Sequence, residues 1–101
     1  MRRAANIDVT QPEAVRQLRV IGATVQTLGQ VGDGCPDLLV GFRGCNVLVE
    51  MKDGAKVPSH QTLNAAQQKW HSEWAGQVGI ANSAEDAVIL VINTARGLGL
   101  L

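Results

Sequence analysis

The chain has 101 residues, nine of them basic and nine acidic, and 46% of its residues are apolar. This length predicts one domain, residues 1–101, with one core, and the apolar content excludes a disordered chain. No apolar run is long enough to span a membrane, and the basic start lacks the hydrophobic stretch of a secretory signal. We therefore expect a cytoplasmic protein without a membrane partner. Its zero net charge argues against a non-specific nucleic-acid coat protein.

The chain has two cysteines, Cys35 and Cys45, which predict neither a structural zinc site nor a disulfide. Structural zinc sites usually take four clustered Cys and His ligands, so two distant cysteines do not predict one. A reducing compartment also disfavours a disulfide between them. We expect two small, packed thiols.

The first third of the chain predicts a helix, a strand and a loop. Asp8 or Thr10 can cap the helix and Gly22 can end it. Alternating side chains predict a short strand over 23–28, and glycines make 29–34 a loop. The apolar stripe of the helix consists of Ala14, Val15, Leu18 and Ile21. The glycine-rich loop lacks a following Gly-Lys-Ser/Thr and leads into a strand, so we expect no nucleotide cofactor.

Two further strands are predicted in the middle of the chain. The apolar runs 38–42 and 47–51 are separated by residues 43–46 (RGCN), which indicates a hairpin. The second run is apolar on both faces. This pattern is typical of a central strand that is covered on both sides.

The length of the hairpin turn decides which side chains share a face. A two-residue turn at Arg43-Gly44 would place Asp37 opposite Glu50, on the face that also carries Lys52. A three-residue turn without a bulge would separate them. Because Arg-Gly is not a favoured two-residue turn, the shared face is a hypothesis at this point.

The second half of the chain predicts a helix, a strand and a final helix. The polar segment 53–61 should be an exposed, mobile loop. A helix follows over about 63–75, then a strand over 78–81. Ser83 opens the last helix, which ends near Gly97. The order α-β-β-β-α-β-α predicts a small α/β domain with a mixed sheet and helices on both faces.

Asp37, Glu50 and Lys52 together indicate a chemical site. Two carboxylates directly opposite each other repel, so they need a neutralising partner. Mg²⁺ takes oxygen ligands and usually one or two carboxylates. A neighbouring lysine can hold an attacking water or stabilise charge on a phosphate. The reaction class that needs these parts is metal-assisted phosphodiester hydrolysis.

One face of the predicted middle helix should pack on the sheet. Its members, three or four residues apart, are Leu63, Gln67, Trp70 and Trp74. A buried amide needs partners, so we expect Gln67 to reach the carboxylates or a metal-bound water. Trp70 and Trp74 are expected in the core rather than as a base-stacking platform. Next to this face, His71 is expected to be partly buried and hydrogen-bonded.

Three segments carry a resemblance to a known family: residues 34–41 (GCPDLLVG), residues 49–52 (VEMK), and the helix from Leu63 through Gln67 to His71 and Trp74. They resemble the PD-(D/E)xK nuclease superfamily, and more narrowly the small stand-alone VRR-NUC domains of phages and prophages. The resemblance covers most of the chain. It implies a restriction-endonuclease-like fold, an αβββαβ core with a mixed sheet flanked by helices, followed here by a C-terminal helix.

The resemblance also implies roles for individual residues. Asp37 and Glu50 match the metal ligands, with the backbone carbonyl of Met51 as a further ligand for Mg²⁺ or Mn²⁺. Lys52 matches the catalytic lysine and Gln67 the helix glutamine. The implied activity is a divalent-metal-dependent endonuclease that hydrolyses DNA phosphodiester bonds. Related members cut branched DNA, including four-way junctions, often as homodimers, so we expect phage or prophage DNA processing in the bacterial host cytoplasm.

Four basic residues are candidates for contacts with DNA phosphates: Arg16, Arg19, Lys56 and Lys69. Glu13 resembles the acidic residue of the first helix that some members use as an additional metal ligand, although it lies on the flank of its apolar stripe. The alternative function is a DNA-binding or assembly module that keeps the fold without activity. A small-molecule α/β enzyme is disfavoured because no nucleophile–base pair stands out.

Overall fold

The computed structural model describes residues 10–54 and 62–101. Three helices and four strands are assigned within these ranges. They are α1 (Thr10–Val20), β1 (Thr24–Thr27), β2 (Leu38–Phe42), β3 (Cys45–Met51), α2 (Ala65–Glu73), β4 (Val78–Ala81) and α3 (Ala84–Gly97). This element order confirms the predicted α/β succession.

The four strands form one mixed sheet in the order β1-β2-β3-β4. The first three are antiparallel neighbours, and β4 joins parallel to β3 through the crossover that contains α2. Phe42 pairs with Cys45, which confirms the two-residue turn. Arg43 and Gly44 have φ values of 54° and 88°. Positive φ at both positions is the type I′ geometry that matches strand twist, and here an arginine adopts it.

One sheet face, which we call the core face, is covered by α1 and α3. It carries Val40, Val47 and Val49, each at most 1% exposed. Leu18 from α1 and Val91 from α3 lie in the same buried cluster and are fully buried. Strand β3 is central and almost wholly buried, as its apolar pattern predicts.

A glycine ends α1. Gly22 has φ 93°, and the N–H groups of Gly22 and Ala23 donate to the carbonyls of Arg19 and Leu18. This is a Schellman cap, which needs the left-handed conformation at Gly22. It turns the chain directly from α1 into β1, so the predicted stop is confirmed.

The opposite face, the site face, carries Leu48, Glu50 and the side chain of Lys52. Helix α2 reaches the end of this face through Gln67, which bonds to Glu50 and Lys52. The helix is shorter than predicted: it spans Ala65–Glu73 rather than 63–75, and none of its residues is buried. The prediction that Trp70 and Trp74 lie in the core is wrong. Trp70 is half-buried and Trp74 is 46% exposed, because α2 ends before Trp74 and the two indoles stack on each other.

Some of the predictions concern residues outside those that the structure describes. This applies to Asp8, to Lys56 and to most of the predicted loop 53–61. Cys35 and Cys45 are free thiols, half-buried and buried respectively. Among the described helices, none combines the length and apolarity needed to cross a bilayer.

Candidate active site

The carboxylate of Glu50 is buried on the site face at the end of the central strand. Its residue is 3% exposed, and the parallel register pairs it with Ile80. On the other side, the antiparallel register of Leu38 with Val49 places Asp37 opposite Glu50. The two acidic side chains therefore meet where β2 begins and β3 ends, as the two-residue turn requires.

A backbone group holds the Asp37 side chain in place. The Met51 N–H donates to Asp37 Oδ2 at 2.8 Å. The Asp37 carbonyl accepts from the Leu28 N–H, also at 2.8 Å, which extends the contact between β1 and β2 beyond the strands. Pro36, immediately before it, is fully buried. Asp37 is thus fixed from both neighbouring strands.

Lys52 and Gln67 complete a connected polar cluster. The Lys52 ammonium donates to Gln67 Oε1 at 2.8 Å and lies 3.6 Å from Glu50 Oε2. Gln67 Nε2 donates to the same Glu50 oxygen at 3.2 Å. One amide therefore bridges a cation and an anion, and the Gln67 contact expected from sequence is present. The Lys52 side chain is only 14% exposed.

The start of α2 positions Gln67. Asn64 caps the helix: its side chain accepts from the Gln67 N–H at 2.9 Å, and its own N–H donates to Gln67 Oε1 at 3.0 Å. This is a reciprocal capping box, in which an asparagine and a glutamine satisfy two free donors. Because Gln67 Oε1 accepts from both Asn64 and Lys52, the helix cap and the cluster are one network.

Burial and like charge leave Glu50 electrostatically unsatisfied. Its pKa is raised to about 7, first by burial, then by the charge of Asp37, while Lys52 opposes the shift. Glu50 Oε1 is buried and has no hydrogen-bond partner. A buried acceptor without a donor is costly unless another partner binds it. The cluster therefore needs further positive charge at this oxygen when Glu50 is ionised.

The glycine-rich loop approaches α2 at a position that sequence reasoning missed. A Cβ on Gly34, whose φ is 84°, would lie 2.4 Å from the Ala66 carbonyl oxygen. Only glycine allows this approach. The next residue, Cys35, lies near the two carboxylates. Its thiol pKa is raised by burial and then by the charges of Glu50 and Asp37. A glycine two residues before the Pro-Asp dipeptide was the available signal for this close packing.

His71 lies one helical turn beyond Gln67. It is half-buried, and its Nε2 is buried without a hydrogen-bond partner. The expected hydrogen bond at this atom is therefore not formed. Burial and the nearby charge of Lys52 lower the pKa of His71, so the ring is held neutral next to the cluster.

Glu13 has other partners on its own helix. Its carboxylate accepts from Arg16, which forms a bidentate pair with it, and from Gln17 at 2.8 Å. These bonds lower the pKa of Glu13 to about 2. Glu13 lines a cavity of about 400 Å³ with Asp53 and Ser83, so it faces the edge where α1 and α3 begin.

The predicted DNA-contacting residues are spread over both layers. Arg16 and Arg19 lie on α1, which packs against the core face, and Arg19 donates to the Val25 carbonyl at 3.5 Å. Lys69 lies on α2, two residues after Gln67. Lys56 is outside the described residues. Of the three described cations, only Lys69 shares its helix with the cluster.

The two carboxylates of the cluster suit a hard cation that takes its remaining ligands from water or substrate. Within residues 10–54 and 62–101, no three His, Cys, Asp or Glu side chains cluster as a ready-made metal site. Two carboxylates, Asp37 and Glu50, do meet, and one of their oxygens has no partner. Mg²⁺ is often held by one or two carboxylates, with water and phosphate oxygens as the other ligands.

Comparison with solved structures shows what this arrangement resembles. A VRR-NUC domain is similar to this chain with a TM-score of 0.61 and 26% sequence identity, over 81% of this chain and 89% of that domain. No family model and no curated protein matches the sequence. The chain therefore has a VRR-NUC nuclease-type fold, with a mixed four-stranded sheet flanked by helices and a C-terminal helix.

Proposed function

We propose that this nuclease-like domain is a divalent-metal-dependent endonuclease that hydrolyses DNA phosphodiester bonds. The observation that carries the proposal is the buried Glu50 carboxylate, which faces Asp37 and has one oxygen without a donor. Such a pair is unfavourable in a sheet unless a cation neutralises it. The fold of the VRR-NUC domain supports the same chemistry.

Mg²⁺ or Mn²⁺ is the cation that fits. Asp37 and Glu50 would hold it, with the Met51 carbonyl as a third oxygen ligand. When bound, the cation would lower the pKa of a water and polarise the phosphate. We do not assign Glu13 to this site, because Arg16 and Gln17 already engage its carboxylate.

The chain's own residues would prepare the phosphate and the water. Gln67 holds the Lys52 ammonium at 2.8 Å, so the charge is fixed rather than mobile. From this position Lys52 would stabilise the developing charge on the phosphate or orient the attacking water. Gln67 also holds Glu50, which keeps the carboxylate turned toward Lys52.

Branched DNA and a homodimer are the finer parts of the proposal. The chain has zero net charge, so one copy offers few cations for the DNA backbone. Arg16, Arg19, Lys56 and Lys69 are the proposed phosphate contacts, and a dimer would double them. A symmetric pair would also suit a four-way junction. The setting we propose is phage or prophage DNA processing in a bacterial cytoplasm.

The test is a cleavage assay on end-labelled four-way junction, flap and linear duplex DNA with Mg²⁺ or Mn²⁺. We expect cleavage of the branched substrates, and loss of cleavage in Lys52→Ala and Glu50→Gln. Arg96→Ala and Glu85→Gln are matched controls, because they remove the same charges from α3 on the core face. Both controls should cleave like the unaltered protein.

Two outcomes would contradict the proposal. Cleavage by Glu50→Gln at the unaltered rate would show that the site assignment is wrong. Absence of cleavage by the folded protein, with DNA binding that chelator does not change, would favour the binding-module alternative instead. Cleavage of linear duplex as fast as of the junction would overturn only the branched-DNA part.

A further inference from the structure

Helix α2 exposes a pair of stacked indoles close to the proposed site. The Trp70 and Trp74 rings are 4.6 Å apart at their centroids and 16° from parallel. Trp74 is 46% exposed. A partly exposed aromatic pair is not needed for the core, which lies on the other face of the sheet. Exposed apolar surface of this kind commonly marks a binding site.

The chain after α2 holds the outer indole in a defined position. A Cβ on Gly76 would lie 2.9 Å from Trp74 Nε1, so the indole edge lies directly against the Gly76 backbone. With Trp70 stacked on one side, Trp74 is confined from two directions. A ring that is already ordered loses little conformational freedom when a ligand binds.

A hollow of about 250 Å³ opens beside Trp70. It lies between the glycine-rich loop and α2, and its walls are Asp33, Ala66, Lys69, Trp70 and Glu73. Pockets for drug-sized ligands begin at about 300 Å³, so this hollow suits one planar ring system. Its two carboxylates outnumber the single ammonium, so it disfavours a phosphate. An aromatic wall with hydrogen-bond acceptors at the rim instead suits a nucleobase.

Along α2, the hollow lies one helical turn from Gln67, the residue that contacts the proposed cleavage site. Gln67 contacts Glu50 and Lys52, and Trp70 follows it by one helical turn. One turn advances about 5 Å along the helix axis. Lys69, at the rim, can meet the backbone phosphate that leads from the site to the base.

We propose that this hollow binds one unpaired base of the DNA strand whose phosphate lies at Asp37 and Glu50, stacked against Trp70 with Trp74 behind it. The choice of DNA rests on the proposed function. A base inside a duplex is covered by its neighbours and reaches such a hollow only by leaving the stack. The hollow would therefore select strands that carry an unpaired base next to the scissile phosphate, as at a branch or flap.

The first test is a fluorescence titration in the presence of chelator, so that no cleavage occurs. The chain has two tryptophans and no tyrosine, so its emission comes from this pair alone. We expect a single strand to quench the emission and the blunt duplex of the same sequence to leave it almost unchanged. Equal quenching by both would overturn the proposal, as would no quenching by a strand that binds.

The second test measures the affinity of a labelled single strand by anisotropy. Trp70→Leu removes the aromatic face and should weaken binding roughly ten- to a hundredfold. Ile89→Ala is the matched control, because it removes an exposed apolar side chain from α3 and should bind normally. Equal affinity of the folded Trp70→Leu variant and the unaltered protein would overturn the proposal.

Changes in the DNA test the same contact without altering the protein. An abasic site moved along the strand should weaken binding about tenfold or more at one position and little elsewhere. A uniform response would contradict a single base pocket. Emission that changes with protein concentration in the absence of DNA would show that a second copy covers the indoles, which would also overturn the proposal. Quenching by a single strand but not by the duplex, without cleavage of any substrate, would support the base pocket and contradict the proposed nuclease activity.

Discussion

The two faces of the sheet are built by different rules. The core face is apolar, is covered by α1 and α3, and buries residues such as Val49 and Val91 completely. The site face holds a buried Glu50 with an unpartnered oxygen and is reached at one end by α2, which buries none of its own residues. One face supplies the free energy of folding. The other keeps an unfavourable charge arrangement in place, which the first face must support.

The largest effect is expected on the site face, in activity. Asp37→Asn should lower cleavage by about a thousandfold or more, since it removes an oxygen charge from the proposed cation site. The fold should survive, because the asparagine oxygen can still accept from the Met51 N–H. Cleavage rates on junction DNA, with circular dichroism as a check on folding, test this. Loss of less than tenfold would mean that Asp37 is not a ligand.

On the core face the largest effect is expected in stability. Leu18→Ala should lower the free energy of unfolding by about 3–5 kcal/mol, since Leu18 is fully buried and the change leaves a cavity. Ile80→Ala is the comparison on the site face. Ile80 is 42% exposed, and its loss should cost less than about 1 kcal/mol. Denaturant unfolding of both variants measures the two losses of stability. Equal losses would show that the two faces do not differ in their contribution to folding.

The pH dependence of stability should separate the faces through Glu50. Its pKa is raised from the ordinary 4.5 to about 7, so the folded state favours the protonated form. The resulting stability is fully present below about pH 4.5 and is lost as the pH rises through 7. Glu50→Gln should therefore be more stable than the unaltered protein by about 2–3 kcal/mol at pH 8 without metal.

Unfolding in denaturant with chelator, at pH 4.5 and pH 8, measures this difference. The gain from Glu50→Gln should nearly vanish at the lower pH. Taking the difference between the two proteins removes the opposite contribution of Glu13, whose pKa is lowered. A gain that is the same at both pH values would show that Glu50 is not a strained carboxylate.

The smallest effect is expected where α2 begins. Asn64→Ala should cost about 1 kcal/mol of stability, since it removes the helix cap. It should also lower cleavage by about tenfold, because the Gln67 backbone loses a fixed partner and the amide moves. Asn64→Asp keeps an acceptor and should retain most of both. Cleavage kinetics on junction DNA and thermal unfolding of both variants measure these effects. A change in stability without a change in cleavage would show that Asn64 does not position Gln67 for the reaction.

The two faces also differ in how far the sequence predicts them. On the core face, period-two alternation and a two-residue turn fix the register of Phe42 with Cys45, and Gly22 ends α1. These are local rules with short range. The turn itself needed more than local preference, because Arg43 adopts a positive φ that arginine normally avoids. The five residue pairs between β2 and β3 hold the turn in this geometry.

On α2, prediction succeeds for the polar contacts of Gln67 and fails for the two indoles and for His71, whose Nε2 has no hydrogen-bond partner. Gln67 needed partners and has them in Glu50 and Lys52. The helical spacing of Trp70 and Trp74 looks the same for a core stripe and for an exposed stack, because it contains no information about what covers the helix. By contrast, the engagement of Glu13 by Arg16 and Gln17 follows i,i+3 and i,i+4 rules and was foreseeable from spacing.

The effect of Mg²⁺ on folding tests most directly whether Asp37 and Glu50 form a cation site. If the site face is shaped for a cation, Mg²⁺ should raise the free energy of unfolding at pH 8, by about 2.7 kcal/mol at a hundredfold excess over its dissociation constant. Glu50→Gln should show little of this effect, and Glu85→Gln should show all of it. Equal stabilisation of Glu50→Gln and the unaltered protein, or none of either, would show that Glu50 does not hold a cation.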